Sequence, residues 1–593
     1  MKDKKIKKIP YGLANYELLV QQNSYYVDKT TFLPVVEEAG NYLFFIRPRR
    51  FGKSLFLSVM EAYYDVFYKN RFEEFFRGTW IYDHPTDEKG SYLVLSFNFS
   101  VVEPDVKKME TSFHNHIQDE AVGFIQKYSS HLSANQDMDY FTEKIKYSRS
   151  ATDILSTLLH LCEGAQQKLY VIIDEYDNFS NTILATVGEA AYQELTHGPG
   201  FFKSFFNALK KGTSGTGAPV NRSFITGVSP VTMDDVTSGF NIGNNVSLEP
   251  NLNTMLGFTK HDVIDMIEYY RSMGKIYHPT DYLMDIITQW YGNYRFSEEN
   301  HVKLFNPDMI LYFFMNYFSR EKIPGDLIDR NVRIDYGKLR HLIIVDKGEI
   351  KVSNGNFDRL REIIKEGETS SELVKGFPLE KLIDRENFIS LLFYFGLLTI
   401  KDTETTGLTL AIPNETIRRL YYDYIKEAYE ETEIFALDLY TYNRLMKGMA
   451  LEGQWNPLID YIASRMQESM SLRDLITGEK SIQAFLNVYL GLTNLYIIHT
   501  EKEMNKGYAD IVMEPFLARY AGLKYSYILE IKYVKAGVSP GTAKVRQLKS
   551  EAEEQLKNYS IDEKFRKTIE KTNLIKIVLI FSGHRLIDKG EVN

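Results

Sequence analysis

Asp510, Glu530 and Lys532 are the residues of this chain whose types and spacing speak most clearly of chemistry. Glu530 and Lys532 sit two apart in the apolar run "YSYILEIKYV" (525–534), so on a strand both face one side of a sheet. Asp510 lies in a second strand candidate, "YADIVM" (508–513). If the two strands are neighbours, two carboxylates and an ammonium converge on one edge. Paired carboxylate oxygens suit Mg²⁺, with Mn²⁺ as a substitute. A cation held there acidifies water and stabilises charge on a phosphodiester. Lys532 would orient that water or neutralise the pentavalent state, and the carbonyl of Ile531 would add a ligand. Gln555 and Tyr559 are four apart on the helix that follows, hence on one face, where they could hold a substrate phosphate. Glu479 opens the preceding helix and would complete the metal site from its far side. The competing reading is an ordinary surface ion pair between Glu530 and Lys532, worth little. Asp510 and the Gln555/Tyr559 pair tip the balance toward a site.

A second constellation lies near the N-terminus. "YLFFIRPRRFGKSLFLS" (42–58) ends its turn in Gly52-Lys53-Ser54, the close of a phosphate-binding loop, but Arg47 stands where the opening glycine belongs. Backbone N–H groups of such a loop wrap phosphates between a strand and a helix N-terminus. "YLFFI" (42–46) reads as that strand, and Leu55, Val59 and Ala62 form the stripe of that helix. Lys53 would then hold phosphate and Ser54 magnesium, with Arg47, Arg49 and Arg50 adding positive charge at the entrance. "LYVIIDEYD" (169–177) supplies a partner strand that ends in Asp174, a magnesium carboxylate, and Glu175, which would polarise the attacking water. The alternative is two acids capping a turn. Thr226 or Ser229, in "RSFITGVSPV", could sense the terminal phosphate. Arg295, in "WYGNYRFS", either reaches the nucleotide or is structural.

Elements must place these groups. The C-terminal part predicts helix 479–493, strands 495–501, 508–513 and 525–534, helix 545–559 and strand 574–581. Residues 256–330 read as a mainly helical lid. Residues 385–431 run helix, strand "LLTI", polar turn, strand "LTLAI", helix, the order of a winged-helix-like module. Its many acids favour packing on the core as a relay over DNA binding.

Two resemblances follow from these motifs. "IPYGLANYELLVQQNSYYVDKT", "RPRRFGKS", "VIIDEYD", "FITGVSP" and "YGNYRFS" together resemble the AAA-ATPase-like family. In that family arginine is usual at the place of Arg47. The resemblance covers about residues 5–310 and implies an ATP-binding core with Gly52, Lys53, Ser54 and Asp174 in matching positions. The C-terminal order, with Asp510, Glu530-x-Lys532 and Gln555-x-x-x-Tyr559, resembles the PD-(D/E)XK nuclease superfamily in its RecB-like branch. Ala509 replaces the motif's proline.

The bulk numbers agree with an α/β multidomain protein: P-loop core with a parallel sheet, helical lid, winged-helix-like module and restriction-endonuclease-like domain, expected at 1–255, 256–330, 331–435 and 436–593. At 593 residues, 44% apolar and 25% charged, the chain is too long for one core. Its net charge of −9 divides into about +4 for residues 501–593 and about −13 before them. Residues 531–550 hold five basic side chains and no acidic one, a stretch suited to phosphates or simply a solvated face. Cys162 is the sole cysteine, which excludes an intrachain disulfide and a cysteine zinc site. No run approaches 18 apolar residues, so no membrane partner is expected and a cytoplasmic location is. The reading is a bacterial-type protein in which ATP and Mg²⁺ control or power cleavage of nucleic acid, DNA ahead of RNA, compatible with a homo-oligomer. Defence against foreign DNA and mobile-element biology both suit it. The alternative is a nucleotide-dependent switch whose nuclease-like domain binds without cleaving.

Overall fold

The structure is a computed structural model. It describes residues 5–592 except 104, 134–135, 179–199, 232–239, 333–355, 379–380, 383, 405–406, 432–437, 469–477, 494, 505–506, 518–519, 536–540, 562–565, 567–568 and 570. Parts of the expected connecting module (333–355, 432–437) and the loop 536–540 of the basic stretch therefore lie outside the described residues. The chain divides into two compact units. One holds Met1–Lys322, Ile328–Asn356 and Ser370–Asn414; the other holds Ile323–Leu327, Phe357–Thr369 and Glu415–Asn593.

The first unit is built on a five-stranded parallel sheet. In chain order its strands are β1 (Tyr42–Ile46), β2 (Leu93–Asn98), β3 (Leu169–Asp174), β4 (Val220–Gly227) and the short β5 (Asn244–Asn245), in spatial order β2-β3-β4-β1-β5. β3 is buried along its whole length and β1 from Leu43 onward, which explains their continuous apolar sequences. β4 separates them, pairing in parallel with both. Helix α1 (Lys53–Tyr64) leaves the end of β1, so the loop 47–52 and the C-terminal end of β3 open on the same edge. Three helices follow, α2 (Lys260–Ser272), α3 (Thr280–Tyr291) and α4 (Pro307–Arg320). They match the expected helical stretch, and Asn306 caps α4 by accepting from Met309 N–H, ahead of Pro307 at the first turn.

Helix α5 (Arg385–Tyr394) leads to the antiparallel hairpin β6 (Thr399–Glu404) and β7 (Gly407–Ala411) of the winged pattern. The hairpin is tied to the segment after α3: Thr399 Oγ1 accepts from Arg295 N–H, and Ile400 N–H donates to the Arg295 carbonyl.

In the second unit α6 (Glu415–Glu431) and α7 (Glu479–Gly491) precede a five-stranded mixed sheet. Its strands are β8 (Tyr496–Met504), β9 (Gly507–Pro515), β10 (Tyr525–Val534), β11 (Asn573–Ser582) and β12 (Arg585–Val592), in that spatial order, with α8 (Thr542–Tyr559) crossing between β10 and the parallel β11. β12 has no counterpart in the sequence reading. It folds back on β11 through a turn at Gly583, whose φ of 57° suits glycine. Ala552, Leu556 and Tyr559 pack from α8 onto Val512, Ile528 and Val578 of the sheet. Among the described residues no helix is long and apolar enough to cross a membrane.

Candidate nucleotide and metal sites

The loop between β1 and α1 joins the end of a parallel strand to a helix N-terminus, the place expected for phosphate. Gly52 caps α1 with φ 94°, a left-handed conformation that any side chain would strain. Lys53 is buried, and its ammonium donates to the carbonyls of Arg47 and Pro48, both at 3.0 Å. Burial lowers its pKa, against the opposing pull of Asp174, Glu175 and Asp177. The Ser54 hydroxyl donates to Asp174 Oδ2 at 2.5 Å, so the two expected magnesium groups touch across the sheet edge. Asp174 is raised above the usual carboxylate range by burial, with Ser54 and Lys53 holding it down. Glu175 follows in a left-handed conformation (φ 52°) and is likewise raised by burial. Lys53, Ser54 and Glu175 all line one cavity of about 540 Å³, a size that suits a nucleotide. Tyr25, Val27 and Gly257 line it too.

Arg47 departs from its expected role. Its guanidinium is turned into the core, 1% exposed, where it donates to the carbonyls of Ile46 (3.0 Å), Ser247 (2.5 Å) and Leu252 (3.4 Å). It also stacks on Phe45 and Phe296, 4.2 and 4.6 Å from their ring centres. Desolvation lowers its pKa to about 9, so it remains a cation at neutral pH. The residue replaces the glycine as an internal clamp and adds no charge to the cradle. Arg47→Gly, which restores the usual loop letter, is expected to destabilise the chain by about 2–4 kcal/mol in urea unfolding, because it empties a packed volume and takes a charged donor from each of those carbonyls. Arg47→Met should recover part of that loss.

Two other expectations, for Thr226 and Ser229, are corrected in the same region, and the open choice for Arg295 is decided. Thr226 is buried within β4 and donates to the Phe45 carbonyl at 2.7 Å, which leaves it no reach to a phosphate. Ser229 is fully buried, its hydroxyl accepting from Val231 N–H. Arg295 bonds the Ser297 carbonyl, His301 and Thr403, the structural alternative. Arg49 and Arg50 line the cavity. Sequence reasoning missed Asp177, whose buried carboxylate accepts from Val228 and Ser229 N–H and fixes the end of β4. The signal was the third acid of "DEYD".

In the second unit β9 and β10 are antiparallel neighbours, paired from Ile511↔Leu529 to Met513↔Tyr527. Beyond Ile511 the ladder stops and a side chain takes its place: Asp510 Oδ2 accepts from Ile531 N–H at 2.7 Å. Asp510 is thereby fixed beside Glu530. Glu530 is 2% exposed; its Oε1 accepts from Lys532 at 2.8 Å, and its Oε2 is buried with no hydrogen-bond partner. Desolvation first, then the Asp510 charge, raises the Glu530 pKa to about 7. Burial works against the Lys532 ammonium, but its bond to Glu530 and the charges of Glu530, Asp510 and Glu479 outweigh it and raise its pKa. The charges of Glu530, Asp510 and Glu479 thus converge on the Lys532 ammonium, and one buried oxygen of Glu530 lacks a hydrogen-bond partner. A divalent cation fits that deficit in charge and coordination. Among the described residues no three His, Cys, Asp or Glu side chains gather as a ready cage; the charge of Glu479, the other expected metal ligand, acts on Glu530.

Gln555 and Tyr559 arrive from α8. Tyr559 is raised to about 12 by burial first and then by the Glu530 and Asp510 charges, against the lowering effect of its bond with Gln555. Gln483, missed in the sequence, donates from α7 to the Asp510 carbonyl at 2.8 Å. Its position four residues after Glu479, on one helix face, was the available signal. Of the basic stretch, Lys535, Lys544 and Arg546 are exposed and Lys549 pairs with Asp588.

The Glu530 shift gives a sign that can be checked. In metal-free protein the folded state holds a proton that the unfolded chain releases near pH 4.3, so stability falls as pH rises through about 7. Thermal melts of Glu530→Gln and wild type should therefore diverge at pH 8 in favour of the variant and converge near pH 5. Added Mg²⁺ should raise the wild-type midpoint only, and less so below pH 7, where proton and cation compete.

Two family models match parts of the chain. Residues 10–237 match the family model described as predicted AAA-ATPase, and residues 477–591 match that of the PD-(D/E)XK nuclease superfamily. An uncharacterised protein in the vnfD 5′ region of Azotobacter chroococcum mcd 1 is 26% identical over 332 residues. That match covers 54% of this chain and 56% of the relative, so the chain spans about half the length of the curated protein it matches. A solved structure of the Aeropyrum pernix Orc1 protein in complex with DNA covers 72% of this chain and 96% of its own, at 12% identity and a TM-score of 0.27, a likeness too slight to bear on the fold.

Proposed function

We propose, for a chain that joins a predicted AAA-ATPase segment to a PD-(D/E)XK nuclease superfamily segment, that an ATP-binding unit controls a divalent-metal-dependent phosphodiesterase. The observation that carries this reading is the buried Glu530, with one oxygen that has no hydrogen-bond partner, beside Asp510 and the Lys532 ammonium.

In the second unit Asp510, Glu530 and the Ile531 carbonyl would hold Mg²⁺ or Mn²⁺, which supplies Lewis acidity and a lowered water pKa when bound. The chain's own groups do the rest. Lys532, fixed by Glu530, stands ready to hold the attacking water or to neutralise the extra charge on phosphorus. Gln555 and Tyr559 orient the phosphate, and Gln483 keeps β9 in place through the Asp510 carbonyl. The exposed Lys535, Lys544 and Arg546 extend positive potential for a polyanion. DNA is the first substrate to test and RNA the second.

In the first unit Lys53 binds ATP phosphates, Ser54 and Asp174 hold the accompanying Mg²⁺, and Glu175 polarises water. Lys53 already satisfies two loop carbonyls, so phosphate must draw it away, a trait of a nucleotide-held switch. Defence against foreign DNA or mobile-element biology is the setting proposed. The test is cleavage of end-labelled single- and double-stranded DNA and RNA by the full chain with Mg²⁺ or Mn²⁺, with and without ATP. Metal-dependent product supports the reading. Binding of nucleic acid without product under every condition favours a switch whose second unit recognises and does not cut.

A further inference from the structure

Arg50 lies in the phosphate loop, yet its charge is spent on the segment that follows the core. Its φ of 66° is left-handed, an uncommon place for a side chain this large. Its guanidinium pairs with Asp308 at 2.7 Å and lies 3.8 Å from Asp329. Asp308 sits in the first turn of α4, and Asp329 lies just beyond that helix. Arg50 and Asp308 both line the cavity that contains Lys53 and Ser54. A nucleotide there would bring its phosphates to the arginine and its negative charge to the aspartate.

We propose that Arg50 is the residue through which the first unit reads its nucleotide, exchanging its guanidinium between the carboxylates of Asp308 and Asp329 and the phosphate oxygens of a bound nucleoside triphosphate. The exchange rests on the ATP reading above and adds to it a route from phosphate to segment 307–332. Both carboxylates can spare the arginine. Asp308 keeps the favourable field of a helix N-terminus. Asp329 keeps the Tyr11 hydroxyl and the Asn331 backbone N–H as donors. Neither is left as a bare buried charge, the condition that would otherwise forbid the exchange. Phosphate competes well because arginine matches its geometry and the dianion carries more charge than a carboxylate. The contacts that Arg50 gives up join the start of α4 and Asp329 to the loop, so a triphosphate loosens that segment. The bond between Tyr11 and Asp329 is kept.

The test is a thermodynamic cycle on the full chain with a fluorescent ATP analogue in Mg²⁺. Asp308→Asn, which keeps shape and removes charge, should tighten binding at least about fivefold in the wild-type background. In the Arg50→Ala background the same substitution should change binding less than twofold, because the competitor is gone. Hydrogen exchange is the second readout. Residues 307–332 should exchange faster with the ATP analogue than without it in wild type, and fast in Arg50→Ala regardless of nucleotide. An equal effect of Asp308→Asn in both backgrounds, which plain repulsion would give, overturns the exchange while leaving the ATP site intact. Wild-type protein that binds no nucleotide overturns the ATP reading itself, and the exchange with it.

Discussion

Asp510→Asn is expected to lower metal-dependent cleavage by about 10³-fold or more while leaving the second unit folded. Its carboxylate does two jobs at once. One oxygen accepts the Ile531 N–H in place of a ladder partner, and the group also stands beside the buried Glu530. Asparagine can keep the first role through its amide oxygen and loses the second, since the negative charge that would hold the cation is gone. A Lewis acid at a developing phosphorane is worth several kcal/mol, and each 1.36 kcal/mol is tenfold in rate. Glu530→Gln should fall about as far. Because it relieves a desolvated carboxylate, it should also melt higher than wild type at pH 8. Loss of activity with gain of stability separates a functional site from a structural ion pair, whose removal would do neither. Single-turnover rates and thermal melts of the same preparations check this.

Lys53→Ala is expected to weaken ATP binding by about 100-fold. The ammonium is buried and sits over the loop through the Arg47 and Pro48 carbonyls, a position from which phosphate can draw it without a large rearrangement. Charge-assisted hydrogen bonds to phosphate are worth about 1.5–3 kcal/mol each. Removing the cation also leaves Asp174, Glu175 and Asp177 with less to offset them, which adds repulsion toward a triphosphate. Any dependence of cleavage on ATP should vanish in this variant. Titration with a fluorescent ATP analogue measures the first effect, and cleavage across an ATP series measures the second.

Much of this was legible from residue order. β1 and β10 fall where the apolar runs place them, and α1 and α8 begin within three residues of their expected starts, because periodicity and a bounded apolar run are local signals. The Glu530/Lys532 pair was readable for the same reason, since a spacing of two fixes a shared face. What was not legible depends on distant partners. Arg47 turns inward because Ser247 and Leu252, some 200 residues away, offer carbonyls; nothing near Arg47 announces them. Asp510 meets Glu530 by standing in for a lost ladder bond, a detail set by where β9 and β10 part. Thr226 looked like a strand-end sensor, but parallel pairing on both sides of β4 sinks it into the core. β12 was overlooked because "RLIDKGEV" mixes charge with few apolar residues, and an edge strand needs only one buried face.

The most direct measurement is single-turnover cleavage of labelled DNA and RNA by the full chain in Mg²⁺, run with ATP, with ADP and without nucleotide. Wild type, Asp510→Asn and Lys53→Ala are compared side by side. Product from wild type that changes with the nucleotide, product from Lys53→Ala that does not, and none from Asp510→Asn is the predicted result. Substrates left intact in every nucleotide state, or cleavage by Asp510→Asn at the wild-type rate, would contradict it.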